Sequence, residues 1–165
     1  SRNRIVTYQS SVMLKQEFIK LYHSPAQKAG ECFGINPVVI LAQAAVESGW
    51  GESDLCKVYH NYFGITGYGK SNIYWNGSKT EPGEKSHLQF RIYPMPQQSF
   101  FDFARLITTA YPFAAAMSFH IEAYAKEISY SHYISEMNGD NRTDYQKMLV
   151  SISTYITGIM PDITH

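Results

Sequence analysis

The sequence predicts a mainly α-helical domain with a small β-rich lobe inserted after its central helix (an α+β architecture). Three observations carry that reading. Ser24-Pro25 and Asn36-Pro37 each place a capping residue before proline, the signature of a helix start. Residues 37–49 have almost no polar face, which marks a helix buried on all sides. Residues 50–96 then lose helical periodicity and become rich in Gly, Asn, Ser and Tyr. At 165 residues and 44% hydrophobic content, the chain suits one domain over 1–165 with a real core.

Taken in order, "SVMLKQEFIKLY" (11–22) puts Met13, Leu14, Phe18, Leu21 and Tyr22 at helical spacing. Ser24-Pro25 opens a second helix near 25–33, which Gly34 closes. Asn36-Pro37 opens the third, whose Val38–Leu41, Ala42, Ala44, Ala45 and Val46 are apolar. The β-rich lobe spans about 56–96, with β-prone pieces at 72–75 and 88–93 around Asn-Gly and Pro-Gly turns. Helical patterning returns over 97–117, with Phe100, Phe103, Ala104, Leu106 and Ile107 inward and a break or kink at Pro112. Further helices fit 119–128 and 142–157, the last with Tyr145, Met148, Leu149, Ile152 and Ile156 on one face.

Composition narrows the function. Fourteen basic and fourteen acidic residues balance, so no electrostatic grip on nucleic acid or on an anionic membrane is expected. No run approaches the ~18 apolar residues of a membrane helix, and no signal peptide is recognisable. The abrupt start at "SRNRIV" suits a chain whose leader or neighbouring domain has been trimmed. Cys32 and Cys56 are too few for a disulfide framework; they can pair or stay as small buried hydrophobes. The scattered histidines have no zinc-ligand spacing, and HExxH, CxxC, GxSxG and P-loop patterns are missing, so neither metal nor cofactor is expected. The 13 tyrosines offer rings that pack in a core or touch sugars.

The chemistry gathers at "AQAAVESGWGES" (42–53). Glu47 ends an apolar rod, with Ile40, Gln43 and Ala44 on its face. A semi-buried carboxyl there is pushed toward its protonated form and can donate a proton to a leaving group. Helix C-termini repel negative charge, which argues against an idle Glu47. Gly49 and Gly51 end the helix and turn the chain, and Trp50 packs under the turn.

"AQAAVESGWGES", "NYFGITG" and "FRIYPMPQQSFFDFARLI", in that order and with a β-lobe between, resemble the glucosaminidase domains of glycoside hydrolase family 73. The likeness runs over about residues 12–157. It implies a lysozyme-like fold related to goose-type lysozymes, with a cleft between lobes, and hydrolysis of β-1,4 bonds in peptidoglycan strands, with cleavage after N-acetylglucosamine. It also implies a monomeric, bacteriolytic enzyme of the cell envelope, periplasmic or secreted, with Glu47 as general acid. Glu47 thus meets the burial argument from a second direction.

A glycosidase usually needs a second carboxylate. Glu52 and Asp54 follow Glu47 too closely and read as a solvated turn, and Asp102 reads as a surface or capping acid. The family's Thr-Glu in the β-lobe is matched by Thr80-Glu81, with Glu84 a near competitor and the substrate's own acetamido group the remaining option. The family's "GYA" is similar to "SYS" (129–131), which makes Tyr130 a candidate to orient water or the acetamido group, although its glycine is missing here. Gln43, Asn61, Tyr62, Phe63, Tyr68, Tyr74 and Trp75 are the candidate substrate-binding residues. Asn61, Phe63 and Gly64 would shape the cleft floor, and the aromatic rings would stack on hexose faces, with core packing as the alternative. Arg91 braces the lobe. A lytic transglycosylase or N-acetylmuramidase on the same fold, and a non-catalytic glycan-binding module, are the rival readings.

Overall fold

A computed structural model describes residues 2–135 and 141–159, with side chains from residue 14 onward. Seven helices occur among the described residues, and the second is the centre. α2 (Pro37–Ser48) starts where the Asn36 side chain accepts a hydrogen bond from Val38 N at 3.0 Å, the expected cap. Asn36 also donates to Ser118, through its backbone N to Oγ at 3.0 Å and through Nδ2 to the carbonyl at 3.1 Å. Every side chain from Val38 to Ala45 is shut off from solvent, so helix formation here is driven by burial on all faces. At the far end Gly49 takes a left-handed cap (φ 57°, ψ 49°), a conformation that costs glycine no Cβ clash.

α1 (Arg2–Phe33) is one helix, where the sequence predicts two broken at Ser24-Pro25. Pro25 lies inside it. The residue that loses its amide partner is Leu21, which is exposed, so water can serve its carbonyl. His23 Nδ1 reaches the neighbouring carbonyls of Ile19 and Lys20 at 3.2 and 3.0 Å. Burial of Phe18, Ile19, Ala26 and Ala29 against the core holds both halves in line. Of the expected apolar face, Phe18 is buried and Tyr22 half-buried, but Leu14 and Leu21 face outward; the Met13 side chain lies outside the described residues.

α3 (Asp54–Tyr59) is a six-residue helix too short to leave a periodic signal, capped by Ser53 Oγ accepting from Cys56 N. Cys56 is buried and Cys32 exposed, and both are free thiols. α4 (Pro96–Ala110) and α5 (Pro112–Ala116) are separated at Tyr111, so Pro112 breaks the chain as expected and opens the next helix. α6 (Ile121–Ser129) and α7 (Arg142–Ile159) follow. α2 packs mainly on α1 and α7, α1 on α4, and α6 on α7.

The lobe between α3 and α4 is irregular. Among the described residues its strand pairing is confined to two isolated bridges, Thr66–Phe90 and Lys79–Arg91. Residues 72–75 do not extend, because Asn72 Oδ1 accepts from the amides of Tyr74 and Trp75 at 2.8 and 3.0 Å and curls the segment into a turn.

What fixes this lobe to the helices is a buried charge cluster. The Asp102 carboxylate on α4 is fully buried, not the surface or capping acid its sequence context suggests. It accepts from Arg91 Nη1 (2.8 Å), Tyr93 OH (2.5 Å), Arg105 Nε (2.9 Å) and Asn72 Nδ2 (3.0 Å). Burial alone would raise this carboxyl, but the bonds from Tyr93 and Arg105 and the nearby arginine charges outweigh it and hold it below the usual carboxylate range. Arg91 also donates to the carbonyls of Thr66 and Tyr68 and lies 3.9 Å above the Trp75 ring, so it braces the lobe as expected.

Candidate active site

Glu47 occupies the last turn of α2 and opens onto a cavity of about 490 Å³. The residue is exposed, not semi-buried. The apolar sheath that covers Val38 to Ala45 ends before it, and the helix delivers the carboxylate to the cavity rim. Its two oxygens are differently placed. Oε1 accepts from the Tyr145 hydroxyl of α7 at 3.1 Å. Oε2 lies on the side of Gly64, where an added Cβ would stand 3.9 Å from it.

Phenols surround the acid. Burial first and then the Glu47 charge push the Tyr145 hydroxyl well above its ordinary value, and the same two causes act on half-buried Tyr133. Both phenols therefore stay protonated at neutral pH, and Tyr145 is a donor to the carboxylate. His132, Tyr111 and Met148 complete the opposite wall. Met148, expected on the core face of the last helix, instead stands 44% exposed at this wall.

The other wall is the "NYFGITG" segment. Asn61 is buried; its Nδ2 donates to the carbonyls of Ile65 (2.9 Å) and Arg91 (3.0 Å), and its Oδ1 accepts from the amides of Phe63 and Ile65. One side chain thereby folds the loop and ties it to the lobe. Phe63 stacks on Phe103 with centroids 4.0 Å apart, which sets the floor of the cavity. Gly64 follows at φ +63°, a backbone turn that suits glycine.

The remaining sequence candidates are placed as follows. Gln43 is fully buried, with its amide held by Tyr124 and Tyr145, so no surface is left to it for substrate. Tyr62 is buried with its hydroxyl on that of Tyr22, and Trp75 is buried beneath Arg91 with Nε1 donating to the Ser78 carbonyl at 2.7 Å. Those two rings serve the core, the alternative stated for them. Tyr74 is half-buried against Phe33 and Phe101. Tyr68 stands 73% exposed on the lobe. Glu81 and Glu84 are exposed on the loop beyond Thr80, and neither lines the cavity. Tyr130 is exposed, with its hydroxyl on Thr143 Oγ1 at 3.1 Å, and is also outside the lining. Glu52 pairs with Lys57 at 2.9 Å on the surface, and Asp54 sits in the first turn of α3. Tyr133, Tyr145 and His132 are the site residues that sequence reasoning missed. Tyr145 reads there as one more apolar position of α7, and only the packing of α7 on α2 brings it to Glu47.

A family model described as mannosyl-glycoprotein endo-beta-N-acetylglucosaminidase matches residues 23–157. The chain belongs to this glucosaminidase family. A probable N-acetylmuramidase of Lactococcus lactis subsp. cremoris is 35% identical over 109 residues, covering 61% of this chain and 24% of that protein. The glucosaminidase domain thus spans about a quarter of that curated relative's length. Among solved structures, the catalytic domain of the autolysin Auto from Listeria monocytogenes superposes with a TM-score of 0.68 at 22% identity, over 93% of this chain and 96% of that one. The glycoside hydrolase domain of Salmonella typhimurium FlgJ gives 0.65 at 25% identity, over 90% and 92%. These neighbours are catalytic domains of peptidoglycan hydrolases with a lysozyme-like fold, and the glucosaminidase domain shares that fold.

Proposed function

We propose that this domain hydrolyses β-1,4 glycosidic bonds of peptidoglycan strands at the cell envelope, as an endo-N-acetylglucosaminidase with Glu47 as general acid. The observation that carries the proposal is the placement of Glu47. Among the described residues that line a sugar-sized cavity, Glu47 is the one carboxylate, and its Oε1 accepts from a protonated tyrosine. Once protonated, it can deliver the proton to the glycosidic oxygen as the bond breaks. Phe63 offers an apolar floor, and Tyr133 offers a hydroxyl for the acetamido group or the attacking water. The names of the relatives, a probable N-acetylmuramidase and the peptidoglycan hydrolase FlgJ, supply the substrate class.

The second group is assigned to Glu81. Glu81 stands exposed outside the cavity lining, and its assignment rests on the match of Thr80-Glu81 to the family's Thr-Glu. The substrate acetamido is the alternative. The orienting tyrosine role moves from Tyr130 to Tyr145 and Tyr133, which reach the cavity. Activity of the Glu81→Gln and Glu84→Gln variants on purified peptidoglycan tests the assignment. Loss in the first with activity kept in the second supports Glu81; the reverse pattern transfers the role to Glu84. The name of the lactococcal relative favours N-acetylmuramidase as the second reading. The reducing-end sugar of the released fragments separates the two, being N-acetylglucosamine for a glucosaminidase and N-acetylmuramic acid for a muramidase.

A further inference from the structure

Behind Glu47 lies a chain of buried polar groups that the apolar core has no need of. Gln43 is the one polar side chain in the otherwise apolar buried stretch from Val38 to Ala45. An amide fully shut off from solvent is costly unless each end finds a partner. Gln43 finds two: Nε2 donates to the Tyr145 hydroxyl oxygen at 3.3 Å, and Oε1 accepts from the Tyr124 hydroxyl of α6. Tyr145 in turn donates to Glu47 Oε1 at 3.1 Å.

The direction of this chain follows from its last member. An ionised carboxylate only accepts, so the single hydroxyl hydrogen of Tyr145 goes to Glu47. The Tyr145 oxygen must then accept from Gln43, which turns the amide nitrogen toward Tyr145 and the amide oxygen toward Tyr124. Tyr124, fully buried, satisfies its own hydrogen by donating to that oxygen. All three donors point toward Glu47. A reversed chain would leave the buried Tyr124 hydrogen without an acceptor among these groups.

We infer that Gln43 and Tyr124 are positioning residues, a buried relay that acts through Tyr145 to hold the Glu47 carboxyl in place through its Oε1. The inference rests on the proposed role of Glu47 as the acid. It explains why α2 tolerates a polar side chain at the centre of the core, one turn before the carboxylate. It also explains why three helices meet there, since α6, α2 and α7 each supply one link. Among the described residues, the other titratable groups that line the cavity with Glu47 are His132 and Tyr133 from the segment after α6 and Tyr111 from the α4–α5 break; the lobe residues Phe63 to Thr66 that line it do not titrate.

The test is a carbon-13 NMR titration of the unaltered protein, labelled at the tyrosine Cζ and glutamate Cδ positions, with kinetics of Tyr124→Phe and Gln43→Met beside it. The Cζ signals of Tyr145 and Tyr124 are expected to inflect at the pH where the Glu47 carboxyl titrates, and to lose that inflection in Glu47→Gln. Loss of a donor weakens the carboxylate form, so Tyr124→Phe is expected to move the Glu47 midpoint and the alkaline limb of activity upward. Its kcat should fall several-fold with KM little changed. A Tyr124 signal blind to Glu47 in the unaltered protein overturns the relay, whether or not either variant folds. So does a folded Tyr124→Phe protein with the parent's midpoint and kcat. If Glu47→Gln keeps full activity, the acid assignment fails instead, while the linked titration can still be present.

Discussion

A carboxylate in the last turn of a helix faces the negative pole of the backbone, and α2 carries Glu47 there with no basic residue in that turn to offset it. The Tyr145 hydroxyl meets part of that cost. A hydrogen bond to a charged group is worth about 1.5–3 kcal/mol. Tyr145→Phe is therefore expected to reduce turnover roughly ten- to hundredfold, read as the rate of fragment release from peptidoglycan, while circular dichroism shows the fold kept. Full turnover in this variant would remove Tyr145 from the mechanism. Gly64 is the second test at this scale. Alanine at φ +63° should cost about 1–2 kcal/mol in a urea titration. Stability equal to the parent would show that the loop relaxes. The helix end at Glu47 and the turn after it were readable because Gly49 is a local stop signal, whereas the exposure of Glu47 depends on what packs around it and was not. Tyr145 was not, because its meaning depends on an element almost a hundred residues away.

At the scale of elements, the lobe and α4 are joined by the Arg91–Asp102 pair more than by strands, whose pairing amounts to two bridges among the described residues. Removing one partner of a buried pair leaves an uncompensated charge, so Asp102→Asn is expected to destabilise the protein by about 3–5 kcal/mol in urea unfolding. The sign of its pH dependence follows from the lowered carboxyl. A depressed folded value means stability that is complete above the unfolded value near about pH 4 and is lost as pH falls through the folded one. The gap between parent and variant should thus be widest at neutral pH and shrink in acid; a gap that grows in acid would contradict the network. The capped start of α2 and the break at Pro112 were legible because their signals lie within a few residues. Pro25 misled because propensity is local, and the burial of Phe18, Ile19, Ala26 and Ala29 that overrides it is not. Asp102 misled for the same reason. Its partners Arg91, Tyr93 and Arg105 are near in sequence, but only the lobe's folding, with Asn72, encloses them.

For the molecule as a whole, the helical core with an irregular lobe follows from the periodicity of the helices and its loss over 50–96. The family motifs pointed to Glu47 and to the loop of Phe63 and Gly64, which line one cavity. They did not place the phenols, because the residue matched by the motif, Tyr130, sits outside the cavity that Tyr133 and Tyr145 line. The central claim is that Glu47 is the general acid in hydrolysis of the glycan. The most direct measurement is mass spectrometry of the fragments released from purified peptidoglycan by the parent and by Glu47→Gln. The account predicts fragments that have gained one water, ending in reducing N-acetylglucosamine, and a fall of at least about a hundredfold in their release by the variant. Anhydro-sugar ends, or undiminished release by Glu47→Gln, would contradict it.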